Sequence, residues 1–534
     1  MAFARLLDTK SHLIPGKAII SFHLDAKPSQ EIDSFMSALY RSGSSSSSGG
    51  FDLRGMVHFR WCYSLPLTHQ FHPTHPQVIK LTLRAGKLKV SELLFEVPRD
   101  HANPERGTLQ LFARAVTKHE KSAAAPSEDE RRKKDQKPWF VYLQGGPGFG
   151  CSPPQNFGIT NTILDRGYQM LYLDQRGTGL SSPITAATLA LQGDLHRQAD
   201  YLKLFRADSI VRDCEAIRKT LTADYPTELR KWSIFGQSFG GFCVLTYLSF
   251  FPQGLREAFT SGGLAPIAAS PEQVYKATFQ KVIERNKAYY SKYPEDIEAV
   301  QSLCFHIKSK GGVPLPSGGV LTVRGVLTLG RYFGAHGGLD TVHNLILRSK
   351  TDLLQFQFLS RPTLSALESA LSFDDNILYA VMHEAIYCQR VASNWAAERV
   401  GRSLREFQWL TGTPQSASVV REAPLFFSGE MIYQFLFGAF PELESLAPVA
   451  DIIAKYPGWP ELYDDWQLLR NEVPLYAASF IDDMYVDFGL AQETVKLVKN
   501  CKQFITSTMY HDAIRSRTDD VLKELFALRD DSLD

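Results

Sequence analysis

The sequence makes no provision for disulfides. Its seven cysteines, Cys62, Cys151, Cys214, Cys243, Cys304, Cys388 and Cys501, are odd in number and scattered, with no Cys-x-x-Cys pair. That argues against a disulfide framework and against a cysteine zinc site. No apolar run reaches the about 18 residues that a membrane helix needs, so no segment is expected to span a bilayer. A dominant charge is also missing: 58 basic residues stand against 57 acidic ones. A balance near zero gives no overall attraction to nucleic acid or to an anionic membrane, and neither is expected as a partner. The N-terminus has no charged stretch followed by an apolar one, so no secretory signal is expected and a reducing, cytoplasmic setting is. Internal repeats are absent.

What is present is length and texture. The 534 residues exceed what one core usually organises, so a core domain with a large insertion or a second domain is expected. Residues 1–76 carry no sustained periodicity and contain the run Ser44–Ser48 followed by Gly49 and Gly50. They read as a poorly ordered extension. His69, His72 and His75 recur there at three-residue spacing, but Pro73 and Pro76 disfavour the helix that would align them, and no metal site is assigned. Beyond them, Ile79–Leu83, Leu93–Val97 and Leu109–Ala115 have strand character. The mixed-charge run 123–137 reads as a solvated loop.

Three strand-plus-turn signals follow. Trp139–Leu143 runs into Gly145-Gly146-Pro147-Gly148, Gln169–Leu173 into Asp174-Gln175-Arg176-Gly177, and Trp232–Phe235 into Gly236. Between the last two, Ile210, Cys214, Ile217 and Leu221 recur at helical spacing. Apolar strands alternating with amphipathic helices imply a mostly parallel sheet with helices on both faces. Residues 265–455 are helical in pattern and read as an inserted cap. Leu475–Ile481 and Gln503–Thr508 then resume the strand signal, with Ala491–Lys499 helical between them. The expected organisation is therefore an extension over 1–76, core over 77–264, helical cap over 265–455, and core again over 456–534.

The sharpest chemical signal is Gly236-Gln237-Ser238-Phe239-Gly240. A G-x-S-x-G match is weak alone and can be an ordinary Gly-rich turn. Here a short apolar strand precedes it and a helical stretch follows, which is the setting of a nucleophile elbow in the α/β-hydrolase fold. A serine hydroxyl needs a base, and this class orders its triad Ser, acid, His. Of the five histidines after Ser238, only His511 lies beyond the resumed core strands. The acid should follow the preceding strand, where Asp482, Asp483 and Asp487 stand; Asp487 suits a helix N-cap, and the residues themselves do not separate Asp482 from Asp483. The backbone N–H of Phe239, after the nucleophile, and that of Gly146, in the early Gly-rich turn, are the expected oxyanion donors.

Taken in order and separation, Gly145–Gly148, Asp174–Ser181 and Gly236–Gly241 resemble the proline iminopeptidase (prolyl aminopeptidase) family of α/β-hydrolases. The likeness extends over about residues 77–534 and is strongest to fungal-type members with a long cap. Matching along Val473-Pro474 and the strand that follows selects Asp483 as the acid. One departure is Gln144, where the family motif usually opens with His. The resemblance implies release of an N-terminal proline from peptides, without a cofactor, by Ser238, Asp483 and His511. It also implies cap carboxylates that bind the substrate's free amine: Glu384, in His383–Tyr387, and Glu430, in Gly429-Glu430-Met431. Phe426, Phe427 and Tyr433 could wall a proline pocket or simply pack in a helical core. An esterase or amidase of other specificity, and a non-catalytic binding protein on the same scaffold, are the competing readings. An epoxide hydrolase would need Asp at the elbow.

Overall fold

The computed structural model describes residues 81–85, 88–118, 136–412 and 424–531. The 1–76 extension, with its serine run and three histidines, and most of the 123–137 charged run lie outside the described residues. In chain order the main strands are β1 (Leu81–Ala85), β2 (Leu88–Pro98), β3 (Thr108–Lys118), β4 (Trp139–Leu143), β5 (Gln169–Leu173), β6 (Trp232–Gln237) and β7 (Leu255–Ser261). A two-residue ladder, β8 (Val313–Pro314) with β9 (Val320–Leu321), precedes β10 (Leu475–Phe480) and β11 (Cys501–Thr506).

The nine main strands form one sheet in the order β1-β2-β3-β5-β4-β6-β7-β10-β11. From β5 to β11 every neighbouring pair is parallel, and β1, β2 and β3 add antiparallel strands at one edge. Strands β4, β5 and β6 are buried at every position, as strands covered on both faces must be. The alternation of side chains shows where each face goes. Trp139, Val141 and Leu143 of β4 join a core with Ile210, Cys214 and Val244, from the helices Ala207–Leu221 and Phe239–Phe250. Phe140 and Tyr142 join a second core with Ile159, Ile163, Val521 and Leu525, from the helices Ile159–Asp165 and Thr518–Asp530.

Strand β7 has no counterpart in the sequence reading, because Arg256 and Glu257 interrupt its apolar pattern. Glu257 is nevertheless buried: its Oε1 accepts from Tyr168 Oη at 2.5 Å and Ser233 Oγ at 2.7 Å, and Arg529 Nε lies 3.3 Å from its Oε2. A buried carboxylate so partnered is tolerated in a parallel strand. Between β7 and β10 the regular elements among the described residues are helices apart from the small ladder, from Pro271–Lys292 through Asp465–Leu469. All described residues belong to one compact unit, His72–Asp534.

Candidate active site

Ser238 stands immediately after β6 and caps the helix Phe239–Phe250. Its backbone lies at φ 55° and ψ −127°, a region a side-chain-bearing residue occupies only at a cost of order 1–3 kcal/mol. The surrounding contacts force the turn. A Cβ on Gly236 would collide with the Gly240 carbonyl, and one on Gly240 would collide with the Leu143 carbonyl of β4. The glycines are therefore required by close approach of backbone to backbone. Ser238 N donates to Ser261 O at 3.1 Å, and the serine itself is half-buried.

That bond to the end of β7 leads to the corner where Asp483 and His511 lie. The next residue, Gly262, has φ +53°, and a Cβ there would lie 3.0 Å from His511 Nδ1 and 3.2 Å from Asp483 Oδ2. His511 Nδ1 and Asp483 Oδ2 are 2.8 Å apart, and both residues are buried. A carboxylate can only accept, so Nδ1 carries the proton and Nε2 is left as the basic nitrogen. The other oxygen of Asp483 accepts from the backbone of Tyr485 at 2.8 Å and of Val486 at 3.0 Å. Asp482 instead faces Lys281 at 3.5 Å. Asp487 caps the helix Phe488–Leu497 by accepting from Leu490 N at 2.9 Å, as its position predicts.

Burial opposes protonation of His511. The charge and hydrogen bond of Asp483, joined by the charges of Glu430 and Asp512, outweigh it and raise the imidazole pKa above its usual 6.5. Glu430 is therefore one of the charges acting on the imidazole. Its Oε1 accepts from Tyr379 Oη at 2.7 Å, and His383 Nε2 lies 3.9 Å from its Oε2. Burial pushes the Glu430 carboxyl up, but the bond and charge of His383, the charge of His511 and the Tyr379 hydroxyl carry it below the ordinary range. Glu430 is a charged group held ready in a largely enclosed place.

Glu384 is placed differently. Its oxygens accept from the backbone of Ala396 at 3.2 Å and Ala397 at 2.9 Å, at the start of the helix Ala396–Arg402. Burial raises its pKa in spite of those bonds. It is occupied as a helix anchor, whereas Glu430 meets the side chains of Tyr379 and His383.

The Gly-rich turn after β4 packs on the elbow. A Cβ on Gly145 would lie 2.8 Å from Ser238 Cβ, so Gly146 is one residue from that contact. Two residues of the second motif hold this turn. Asp174 accepts from Cys151 N at 2.7 Å and Leu180 N at 2.9 Å, and Gln175 Nε2 donates to Gln144 O at 3.0 Å. Arg176 is fully buried and makes a bidentate pair with Asp213, at 2.7 and 2.6 Å, while Nη1 donates to Arg99 O and Leu204 O. The second motif is thus a brace between β2, the helix Ala207–Leu221 and the turn.

The three aromatics singled out in the sequence are packing residues. Phe427 is buried against Tyr289, Tyr290 and Phe333, Phe426 lies against Tyr290 and Phe407, and Tyr433 against Trp409 and Phe435. The rings beside the site are others: Phe149 against Tyr379 at 5.4 Å, and Tyr485 edge-on to His511 at 4.7 Å. Tyr485 sits two residues after Asp483, a proximity visible in the sequence; Tyr379 carries no sequence signal, because only the folded chain brings it to Glu430.

Among known proteins, residues 138–310 match the α/β-hydrolase fold family. With its mostly parallel sheet and serine elbow, the chain is an α/β-hydrolase. Proline iminopeptidase aneH of Aspergillus aculeatus is 42% identical over 449 residues, covering 84% of this chain and 95% of that one. The proline iminopeptidase of Aeromonas sobria is 39% identical over 439 residues, covering 82% and 96%. That of Lactobacillus helveticus is 25% identical over 159 residues, covering 29% and 46%. The chain belongs to the proline iminopeptidase family. Among the described residues no helix is long and apolar enough to cross a membrane.

Proposed function

We propose that this chain is a serine aminopeptidase that releases proline from peptides bearing it at a free N-terminus. The observation that carries the reading is the bonded Asp483–His511 pair packed on Gly262, one residue beyond the Ser261 carbonyl that accepts from the Ser238 elbow, in a chain of this family. Ser238 Oγ attacks the carbonyl of the N-terminal proline while His511 Nε2 takes its proton. The N–H groups of Phe239 and Gly146 receive the oxyanion. Collapse breaks the peptide bond, His511 returns its proton to the leaving amine, and proline stays on Ser238 as an ester. Water, deprotonated by His511, then hydrolyses the ester. Asp483 holds the imidazole in the Nδ1–H tautomer and stabilises its cation.

Glu430 is the anchor for the substrate's ammonium, and Glu384 shapes the wall behind it. A carboxylate in a desolvated place selects a cationic amine and rejects a blocked terminus. The six described cysteines are all free, which suits the reducing cytoplasm in which we place the enzyme. The test compares proline, alanine and leucine arylamides and N-acetyl-proline arylamide, with wild type and Ser238→Ala. Proline is expected to be preferred, the acetylated substrate to be refused, and Ser238→Ala to be inactive. Faster turnover of alanine or leucine, or of the blocked substrate, would move the enzyme to a general amidase or esterase; failure of a fluorophosphonate to label Ser238 would favour a binding protein.

A further inference from the structure

The residues flanking the acid and the base are gripped by the helical segment between β7 and β10. Around His511, both chain neighbours are held. His336 Nδ1 lies 2.6 Å from Asp512 Oδ1 and 2.8 Å from Ser516 Oγ, and His336 N donates to the same Asp512 oxygen at 3.0 Å. On the other side, Tyr510 is caught between two groups of the same segment. The Arg285 guanidinium stands 4.6 Å over its ring and the His336 ring meets it edge-on at 5.1 Å. Arg285 is itself fixed by Nε donating to Phe333 O at 3.0 Å. Around Asp483, Lys281 faces Asp482 at 3.5 Å, and the Tyr485 hydroxyl donates to Arg331 O. Every one of these partners, Lys281, Arg285, Arg331 and His336, belongs to the segment, and every one of the gripped residues belongs to a loop at a strand end.

His336 and Asp512 are half-buried, with side chains 23% and 29% exposed, and a surface pair in that position is usually worth little to stability. Its location is informative because Asp512 is covalently next to His511. A hydrogen bond made there sets where the imidazole points, and transfer of a proton from Ser238 depends steeply on that placement.

We propose that the helical segment is a positioning clasp for the catalytic base: His336 on Asp512 and Arg285 on Tyr510 hold the loop that presents His511 to Ser238. The segment therefore contributes to the rate as well as to substrate selection. His336, Arg285, Tyr510 and Asp512 are positioning residues and touch no substrate in this scheme. The proposal rests on the reading of Ser238 and His511 as nucleophile and base.

The experiment measures kcat and KM on proline arylamide, the rate of fluorophosphonate labelling of Ser238, and the pH profile of kcat/KM. It uses wild type, Ser238→Ala, Asp512→Ala, Asp512→Asn and the double variant His336→Ala/Arg285→Ala. Asp512→Ala removes the acceptor, so kcat and the labelling rate are expected to fall by about tenfold to a hundredfold, the scale of a small misplacement, with KM nearly unchanged. Asp512→Asn keeps an acceptor oxygen and is expected to retain kcat. Its acid limb should move to lower pH, because one of the charges facing His511 is gone while Asp483 and Glu430 remain. The double variant attacks the clasp from the other side and should reproduce the loss of kcat, which keeps the test decisive should Asp512→Ala fail to fold. Wild-type kcat in a folded Asp512→Ala or double variant overturns the clasp, as does an equal loss of kcat in Asp512→Asn and Asp512→Ala. Full turnover by Ser238→Ala would instead overturn the nucleophile on which the clasp rests.

Discussion

The strand ends of the parallel sheet and the helical segment between β7 and β10 supply different kinds of group to the site. The strand ends bring Ser238, Asp483, His511 and the Gly-rich turn, the serine and the turn packed backbone to backbone and the histidine bonded to Asp483. The helical segment brings Glu430, Tyr379 and His383, held by side chain to side chain across long stretches of sequence. The first set is suited to bond making, for which position must be rigid. The second suits recognition, since one carboxylate can be moved or replaced without disturbing the strands. On the proposed reading, reaction and specificity are divided between two layers.

The largest effect should come from the strand ends. Ser238→Ala is expected to lower kcat by about a thousandfold or more, as loss of a triad nucleophile does; steady-state rates on proline arylamide measure it. Next stands the brace. Arg176→Ala leaves Asp213 buried without its bidentate partner, which should lower stability by about 3–5 kcal/mol, read from a denaturant titration.

The helical segment should respond in KM. Glu430→Gln keeps an acceptor for Tyr379 and removes the charge, and is expected to raise KM for proline arylamide about tenfold to a hundredfold, the worth of a hydrogen bond to a charged group. Turnover of a neutral ester should be unaffected; an equal loss on both substrates would end the division drawn between the layers. Glu384→Ala strips two backbone N–H groups of their acceptor, and should cost about 1–3 kcal/mol in stability while changing KM less than Glu430→Gln does. Thermal denaturation beside the same kinetics separates the two carboxylates.

The smallest effect lies in the pH profile. His511 must be neutral to accept the serine proton, so activity is lost as pH falls through its folded-state pKa. That pKa is raised above 6.5, so the acid limb of kcat/KM should lie above 6.5. In Glu430→Gln one negative charge facing His511 is gone, and the limb should move to lower pH.

The two carboxylates also show how far the sequence could be read. Both were reachable as candidates, because each sits in a recognisable short segment. Their difference was not: Glu384 is occupied by the start of a helix twelve residues on, while Glu430 reaches a hydroxyl fifty-one residues away. Likewise β7 escaped notice because its Glu257 fits a buried strand only once Tyr168, Ser233 and Arg529 surround it. Phe426, Phe427 and Tyr433 were conspicuous as aromatics, yet they fill the helical layer, and the rings near the site are Phe149, Tyr379 and Tyr485.

By itself the sequence determined what is local. The strand–turn–helix around Ser238, the Gly-rich turn after β4 and the Asp487 cap all follow from steric limits over a few consecutive residues. The tertiary structure alone decided which carboxylate meets Tyr379 and His383, that Asp174, Gln175 and Arg176 hold a turn in place, and that Tyr510 and Asp512 are gripped from the helical layer. Those outcomes depend on packing between segments far apart in the chain, where a hydrogen bond forms only if both partners arrive within about 3 Å, and no short-range pattern encodes that distance.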